Sequence, residues 1–292
     1  MLRLLPAPIR GVLTGALLGL NTLLMASMMV PPALIKLVVP AGAVRRGCDH
    51  ALNGLASAWV AVNSAWIASV SPRGWDVQGV SDLHARGWYL VSPNHQTWVD
   101  ILVLQRIFHG HIPFLKFFLK KELIWVPVIG LAWWALDFPF MARGQGRGAR
   151  QNDLKTTREA CEKFKAIPTT VINFVEGTRF TPAKHAAQNS PYRHLLKPKV
   201  GGLGVALATM GEQFEALLDV TLVYPACTPN FWDLLCGRID QVVVRVQQRP
   251  IPAEVLGGDP IADKAYRQRI VDWVEGQWRE KDALIDGLLG RR

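Results

Sequence analysis

Between Arg10 and Lys36 the chain carries 25 residues without a charged side chain, Gly11 to Ile35, and this run limits what the sequence can become. Leu13, Leu17, Leu20, Leu24, Met28 and Val30 give it bulk, and about 20 apolar residues suffice to cross the hydrocarbon core of a bilayer. Arg3 and Arg10 could form the basic end of a secretory leader, but the run is too long for one and no clear small-residue cleavage site follows it, so a retained segment is expected. Pro31-Pro32 is expected to break or end its helix. A second charge-free run, Ala51 to Pro72, mixes Trp59, Val62, Trp66 and Ile67 with Asn53, Ser57, Asn63 and Ser64, which suits an interfacial helix better than a span. Cations lie on both sides of the first run, Arg3 and Arg10 before it and Lys36, Arg45 and Arg46 after it, and the latter three read most simply as interfacial charges. A shallow hairpin with both ends facing one compartment fits them, and so does one span with a short return.

Composition supports a lipid setting. Half of the 292 residues are hydrophobic and 19% are charged, against roughly 25% charged in soluble chains. Disorder, collagen and coiled coil are excluded by the same figures. Lys and Arg number 33 against 23 Asp and Glu, a net +10, which favours a polyanionic neighbour: phospholipid head groups, phosphorylated substrates or nucleic acid. Eleven tryptophans suit a membrane–water boundary. Cys48, Cys161, Cys227 and Cys236 have no Cys-x-x-Cys spacing, which points to free thiols in a reducing compartment. His109-Gly110-His111 has no third ligand nearby, and no metal is expected.

From about Val77 short β-rich runs alternate with helical spacing. Strands are expected at Trp88–Val91, Pro113–Phe118, Phe138–Met141, Thr169–Val175, Leu218–Val223 and Val242–Val246. Helices are expected at Trp98–Ile107, Ile124–Ala135, Asp153–Phe164 and Leu203–Glu215, with a closing helix within Pro260–Leu289. The alternation predicts an α/β fold, a mostly parallel sheet flanked by helices, behind an N-terminal membrane-associated helical hairpin. The expected divisions are 1–72 for membrane anchoring, 73–250 for the α/β domain and 251–292 for the C-terminal helix.

Two segments can carry chemistry. The first, Ser92-Pro93-Asn94-His95-Gln96-Thr97-Trp98-Val99-Asp100, follows a strand, where α/β folds place ligand sites. Asp100, one turn into the next helix, can reach back and hold one imidazole nitrogen of His95, leaving the other as a general base. About 0.3 His-x4-Asp pairs are expected by chance in this chain, so on spacing alone a structural pair is an equal reading. The second, Asn173-Phe174-Val175-Glu176-Gly177-Thr178-Arg179, again follows a strand. Gly permits close backbone approach, Thr and the amides supply donors, and Arg holds a phosphate bidentately. Chance would produce Glu-Gly-Thr-Arg only about 0.002 times here, so this tetrapeptide is the specific signal. Arg143-Gly144-Gln145-Gly146-Arg147-Gly148-Ala149-Arg150 reads as a basic glycine loop, either anion-binding or simply solvated. Neither a Gly-x-Ser-x-Gly elbow nor a Gly-x4-Gly-Lys-Ser/Thr loop is present, which argues against a serine hydrolase or NTPase.

Taken in order, Asn94-His95-x4-Asp100 and Glu176–Arg179 resemble the two motif blocks of the glycerolipid acyltransferases that acylate 1-acylglycerol-3-phosphate and related lysophospholipids. Between them Lys120-Lys121-Glu122-Leu123 with Pro127 and Gly130, and Phe138 to Arg143, are similar to further family segments; Val220 to Pro225 echoes a later one. The likeness covers roughly residues 75–230, with Val175 standing where the family usually has Pro. It implies a membrane-bound O-acyltransferase moving a fatty acyl group from acyl-CoA or acyl-carrier protein to a lysophospholipid hydroxyl, with phosphatidate the first choice of product. His95 and Asp100 would be the catalytic pair, and Arg179, Arg143 and Lys120 would bind the acceptor's phosphate. Glu176, Gly177 and Thr178 would orient the site or stabilise the oxyanion. No cofactor and no nucleic acid is expected; the partners are the phospholipid membrane, the acceptor and the acyl carrier. The expected location is a bacterial inner membrane with the site on the cytoplasmic side. Trp125, Trp133 and Trp134 are candidates for the acyl path, with core packing the expected fate of at least two. The alternatives are a different acceptor, lysophosphatidylinositol or lysophosphatidylglycerol, or a non-catalytic basic protein binding anionic lipid or nucleic acid.

Overall fold

A computed structural model describes residues 4–39, 42–71, 74–142, 147–260 and 262–290. Two long helices open the chain, α1 at Ala7–Val38 and α2 at Ala43–Val70. They are joined along their length by polar contacts as well as apolar ones. Asn21 Nδ2 donates to Asn63 Oδ1 at 3.0 Å and to Trp59 O at 3.1 Å, and Trp59 Nε1 donates to Thr22 Oγ1 at 2.9 Å. Among the described residues α1 is the one helix long and apolar enough to cross a membrane. Its outward face leaves Leu13, Leu17, Leu20, Leu24 and Met28 exposed, while its inward face buries Met29 and Ala33.

Pro31-Pro32 does not end α1, which runs six residues past Pro32 to Val38. Packing on both sides of the pair outweighs the lost hydrogen bonds. Ala33 and Lys36, beyond the prolines, are both buried. Lys36 is therefore not an interfacial charge. Its ammonium pairs with Asp49 Oδ1 at 2.7 Å and with Asp137, and donates to Ala135 O at 2.9 Å, tying the end of α1 to α2 and to the chain at residues 135–137. Buried ammonium groups survive when paired in this way.

The body is a six-stranded sheet, β1 (Asp76–Gln78), β2 (Tyr89–Pro93), β3 (Leu115–Phe117), β6 (Thr170–Ile172), β7 (Ala216–Val223) and β8 (Val243–Arg249), in the order β1-β8-β7-β2-β6-β3. β7, β2, β6 and β3 run parallel, with Tyr89 level with Thr170 and Ala216. β8 runs antiparallel to β7 and parallel to β1. Every residue of β2 and of β7 is buried, the state of a parallel strand covered on both faces. On one face α2, α3 (Val99–Phe108) and α8 (Phe231–Leu235) cover Tyr89, Val91 and Leu218. On the other α5 (Arg147–Phe164), α7 (Gly201–Met210) and α9 (Lys264–Gly290) cover Leu90, Val171 and Leu217. The expected fold class, a mostly parallel α/β sheet between helices, is what the chain adopts.

Two further segments near the site depart from the expected elements. Ile124–Ala135 is not one helix: a 3-10 turn at Lys121–Trp125 precedes α4 at Ile129–Ala135. Pro127 cannot donate, Val128 takes φ 64°, and a Cβ on Gly130 would lie 2.0 Å from Ile124 O, so the chain folds back where only glycine fits. Next to this turn β4 (Leu119–Lys120) pairs with β5 (Phe140–Met141) as a small second sheet. Likewise β6 stops at Ile172, and Asn173 to Val175 leave the sheet. A short helix α6 (Pro182–Gln188) follows. Of the basic glycine loop, residues 147–150 form the first turn of α5 and residues 143–146 lie outside the described residues.

Candidate active site

Three parallel strands deliver their chain to one edge. β2 runs into Asn94-His95, β6 into Glu176 and β7 into Tyr224. Side chains of open α/β sheets meet ligands at this carboxyl edge. Asn94 fixes the turn: its Nδ2 donates to Leu222 O at 2.9 Å and its Oδ1 accepts from Leu222 N at 2.7 Å, which locks the end of β2 to β7.

His95 Nδ1 lies 2.9 Å from Asp100 Oδ2. Asp100 is wholly buried, whereas the His95 side chain retains 13% exposure. The carboxylate sits in the first turn of α3, where free amides collect. Oδ2 also accepts from Gln96 N at 2.6 Å and Thr97 N at 3.0 Å, and Oδ1 accepts the Tyr224 hydroxyl at 2.7 Å. Burial and the Asp100 charge hold the Tyr224 phenol well above its usual range, so it remains a donor. With Nδ1 so engaged, Nε2 is the imidazole nitrogen left for chemistry. The ring stacks on Phe174 with centroids 4.1 Å apart.

Glu176 holds the same turn from the other side. Oε1 accepts from His95 N at 2.7 Å and Oε2 from Leu196 N at 3.0 Å. Its carboxyl is fully buried, and burial pushes its pKa up to about 7 against the pull of those two amides and of the Lys281 ammonium. Gly177 takes φ +69°, which lets the chain reverse, and its N–H donates to Phe174 O at 2.8 Å. That amide, offered to an oxyanion on sequence grounds, is already taken in this arrangement. Phe180 N returns to His95 O at 2.7 Å, so the two motif loops are stitched together.

The Arg179 guanidinium lies over the Trp98 ring, 4.9 Å from its centroid, which brings the two motifs' side chains into contact. Two cations join it that sequence reasoning missed. Lys184, in the first turn of α6, donates to Thr178 Oγ1 at 2.8 Å and to Arg179 O at 3.1 Å. Lys199 lays its stem against Gly177, 3.2 Å from where a Cβ would stand. The spacing of Lys184 and Lys199 downstream of Arg179 was the available signal, but only the reversal at Gly177 brings them back. Lys120 is exposed at the end of β4. Arg143 lies outside the described residues.

Trp98 also lines an apolar cavity of about 460 Å³ between α1, α2, α3 and α4, walled by Met29, Leu102, Phe117, Ala132 and Phe138. Trp133 lines it as well. Trp125, 83% exposed, and Trp134, 38% exposed, belong neither to the core nor to the wall of this cavity. Among the described residues no three His, Cys, Asp or Glu side chains converge as a metal ligand set.

Comparison with known proteins brings in the family. Residues 75–227 match the family model described as Acyltransferase. The chain is 29% identical over 206 residues to human 1-acyl-sn-glycerol-3-phosphate acyltransferase gamma, covering 65% of this chain and 50% of the relative. It is 30% identical over 209 residues to 1-acyl-sn-glycerol-3-phosphate acyltransferase 2 of Arabidopsis thaliana, covering 68% of this chain and 51% of the relative. It thus spans about half the length of the curated relatives it matches. The crystal structure of the 1-acyl-sn-glycerophosphate (LPA) acyltransferase PlsC from Thermotoga maritima superimposes with a TM-score of 0.56 at 18% identity, over 98% of this chain and 99% of that one, a likeness of fold.

Proposed function

The chain belongs to the acyltransferase family, and from that premise we propose that it transfers a fatty acyl group from an acyl thioester to the free hydroxyl of a lysophospholipid, with 1-acylglycerol-3-phosphate the acceptor. One observation carries the reading. The Asp100-held imidazole of His95 and the Arg179 guanidinium lie at one strand edge, and Arg179 rests on Trp98, a wall of the apolar cavity. A general base, a phosphate holder and room for a fatty chain are thus contiguous.

In this mechanism Nε2 of His95 takes the acceptor's hydroxyl proton as the oxygen attacks the thioester carbonyl. The C–O bond forms, the C–S bond breaks, and the imidazolium returns the proton to the departing thiolate. Asp100 fixes the tautomer and stabilises the imidazolium, held in turn by Tyr224 and two amides. Glu176 orients the His95 turn through its backbone N–H. Arg179 and Lys184 hold the acceptor's phosphate, with Lys199 beside them. The donor is acyl-CoA or acyl-carrier protein, and no resident cofactor or metal takes part. Curated relatives named for 1-acyl-sn-glycerol-3-phosphate support the choice of acceptor.

The membrane is the proposed reservoir of acceptor. The exposed leucines of α1, together with exposed Trp125, Phe231 and Trp232, support immersion of apolar surface in lipid. Thr14, Asn21 and Lys36 are buried on the inward side, so α1 meets lipid with one face only. Four free cysteines suit the reducing, cytoplasmic side of a bacterial inner membrane.

Thiol release from acyl-CoA by purified protein in mixed micelles tests the reading. Release is expected only when a lysophospholipid is present, and His95→Ala should lower kcat by about 10²–10⁴-fold while the protein stays folded. Acceptor-independent release, or a folded His95→Ala enzyme of full activity, would end the proposal.

A further inference from the structure

The family match stops at residue 227, yet a side chain far beyond it reaches the strand edge. Lys281, on α9, is 1% exposed and among the largest fully buried side chains of the body. Its ammonium donates to Ser92 O at 2.7 Å and to Val220 O at 2.9 Å, and pairs with Asp219 Oδ1 at 2.7 Å. Ser92 and Val220 lie in the neighbouring C-terminal halves of β2 and β7, each two residues before Asn94 and Leu222, the residues whose mutual hydrogen bonds set the His95 turn. A lysine that only filled space in the core would be a poor choice there, because an ammonium taken out of water needs full compensation. Each of its three protons has an acceptor.

We propose that Lys281 is a positioning residue for the His95–Asp100 pair: it pins the ends of β2 and β7 from beneath and supplies the positive charge that Glu176 faces. This rests on the reading of His95 as the general base. The charged groups around Glu176 are Lys281 on α9, Asp100 on α3 and His95 on the adjoining turn, with Arg179 turned away to Trp98 and the Lys199 stem against Gly177. Around Lys281 stand Asp219 on β7, Arg249 on β8, which also binds Asp219 at 3.0 Å, and Glu176. Glu176 grips the His95 amide best as a carboxylate, and burial opposes that form. Removing the nearby cation therefore favours protonation of Glu176, loosens its hold on His95 N and leaves the phosphate holders untouched.

Lys281→Met, Lys281→Gln and Lys281→Arg in the full chain test this. The first two are expected to lower kcat about 10-fold or more, with acceptor KM within about 3-fold, because only the base is misplaced. The acid limb of kcat/KM should move to higher pH by about 1 unit, since loss of a nearby cation favours the neutral carboxyl. Lys281→Arg should return most of both. Lys281→Gln keeps a donor for the carbonyls and drops the charge, so a normal acid limb in that folded variant would overturn the electrostatic half of the proposal. A wild-type pH profile and kcat in Lys281→Met, or unfolding of both neutral variants without rescue by Arg, would assign the residue to stability and overturn the whole. Amide hydrogen exchange of the peptide holding His95, expected to quicken in both neutral variants, needs no turnover. It still judges Lys281 if wild-type protein shows no acyl transfer and the functional reading itself fails.

Discussion

The hydroxyl of Tyr224 donates to Oδ1 of Asp100 at 2.7 Å, while the opposite oxygen of the same carboxylate faces His95. The proposed general-base pair is thus a triad in hydrogen-bonding terms, assembled from the ends of two strands and the start of a helix.

Tyr224→Phe removes that donor and leaves a fully buried oxygen of Asp100 without it. A hydrogen bond to a charged group contributes about 1.5–3 kcal/mol, so kcat should fall roughly tenfold or more, with little change in acceptor KM. Steady-state kinetics beside a thermal melt checks this; a rise in KM at constant kcat would place Tyr224 in acceptor binding instead.

Glu176 should show itself in the pH dependence of stability. Its folded pKa of about 7 lies above the ordinary 4.5. The folded protein therefore keeps a proton there that the unfolded chain has shed. The contribution of Glu176 to stability is fully present below about 4.5 and is lost as pH rises through about 7. The melting temperature of wild type minus that of Glu176→Gln should grow as pH falls from 8 to 5. Activity should run the other way, falling below pH 7 as the carboxylate loses its hold on His95 N. A flat difference in melting temperature would show that the carboxyl is not perturbed.

Arg179 offers two donors in a rigid fork while lying over Trp98, and a lysine lacks that fork. Arg179→Lys should raise the KM for a phosphate-bearing lysolipid about tenfold and Arg179→Ala about a hundredfold, with kcat changed much less. An equal loss of kcat against an acceptor lacking phosphate would argue for a role at the reacting carbonyl.

Ala132, on α4, lies in the wall of the cavity that Trp98 also lines, and Ala132→Leu adds carbon to the space itself. The preferred acyl chain should shorten by about two carbons, with a stability loss of about 1–3 kcal/mol from overpacking. Competition between thioesters of different length reads the shift; an unchanged optimum would mean that the fatty chain lies elsewhere.

Much of this site could be read from local sequence, for a physical reason. Asn94, His95 and Asp100 are close in the chain, and one turn of helix brings Asp100 back onto the imidazole. Glu176 to Arg179 likewise announce themselves by residue type at a strand end. What escaped depends on distant segments. Tyr224 and Lys281 reach the site only because β7 lies beside β2 and α9 crosses beneath both. Lys36 looked like an interfacial cation because its partners, Asp49 and Asp137, stand on two other elements. Helix continuation through Pro31-Pro32 failed as an expectation for the same cause: the local penalty was legible and the packing that overrides it was not.

Because α1 furnishes part of the cavity wall through Leu18, Met25 and Met29, and is riveted to the rest of the protein by Lys36 and by Thr14 bonding to Leu235 O, the proposed attachment to lipid and the proposed catalysis share one piece of chain. Trimming that helix to obtain a water-soluble enzyme would unroof the chamber it encloses. Handling the protein in detergent or nanodiscs with its leading helices intact is the course its architecture dictates.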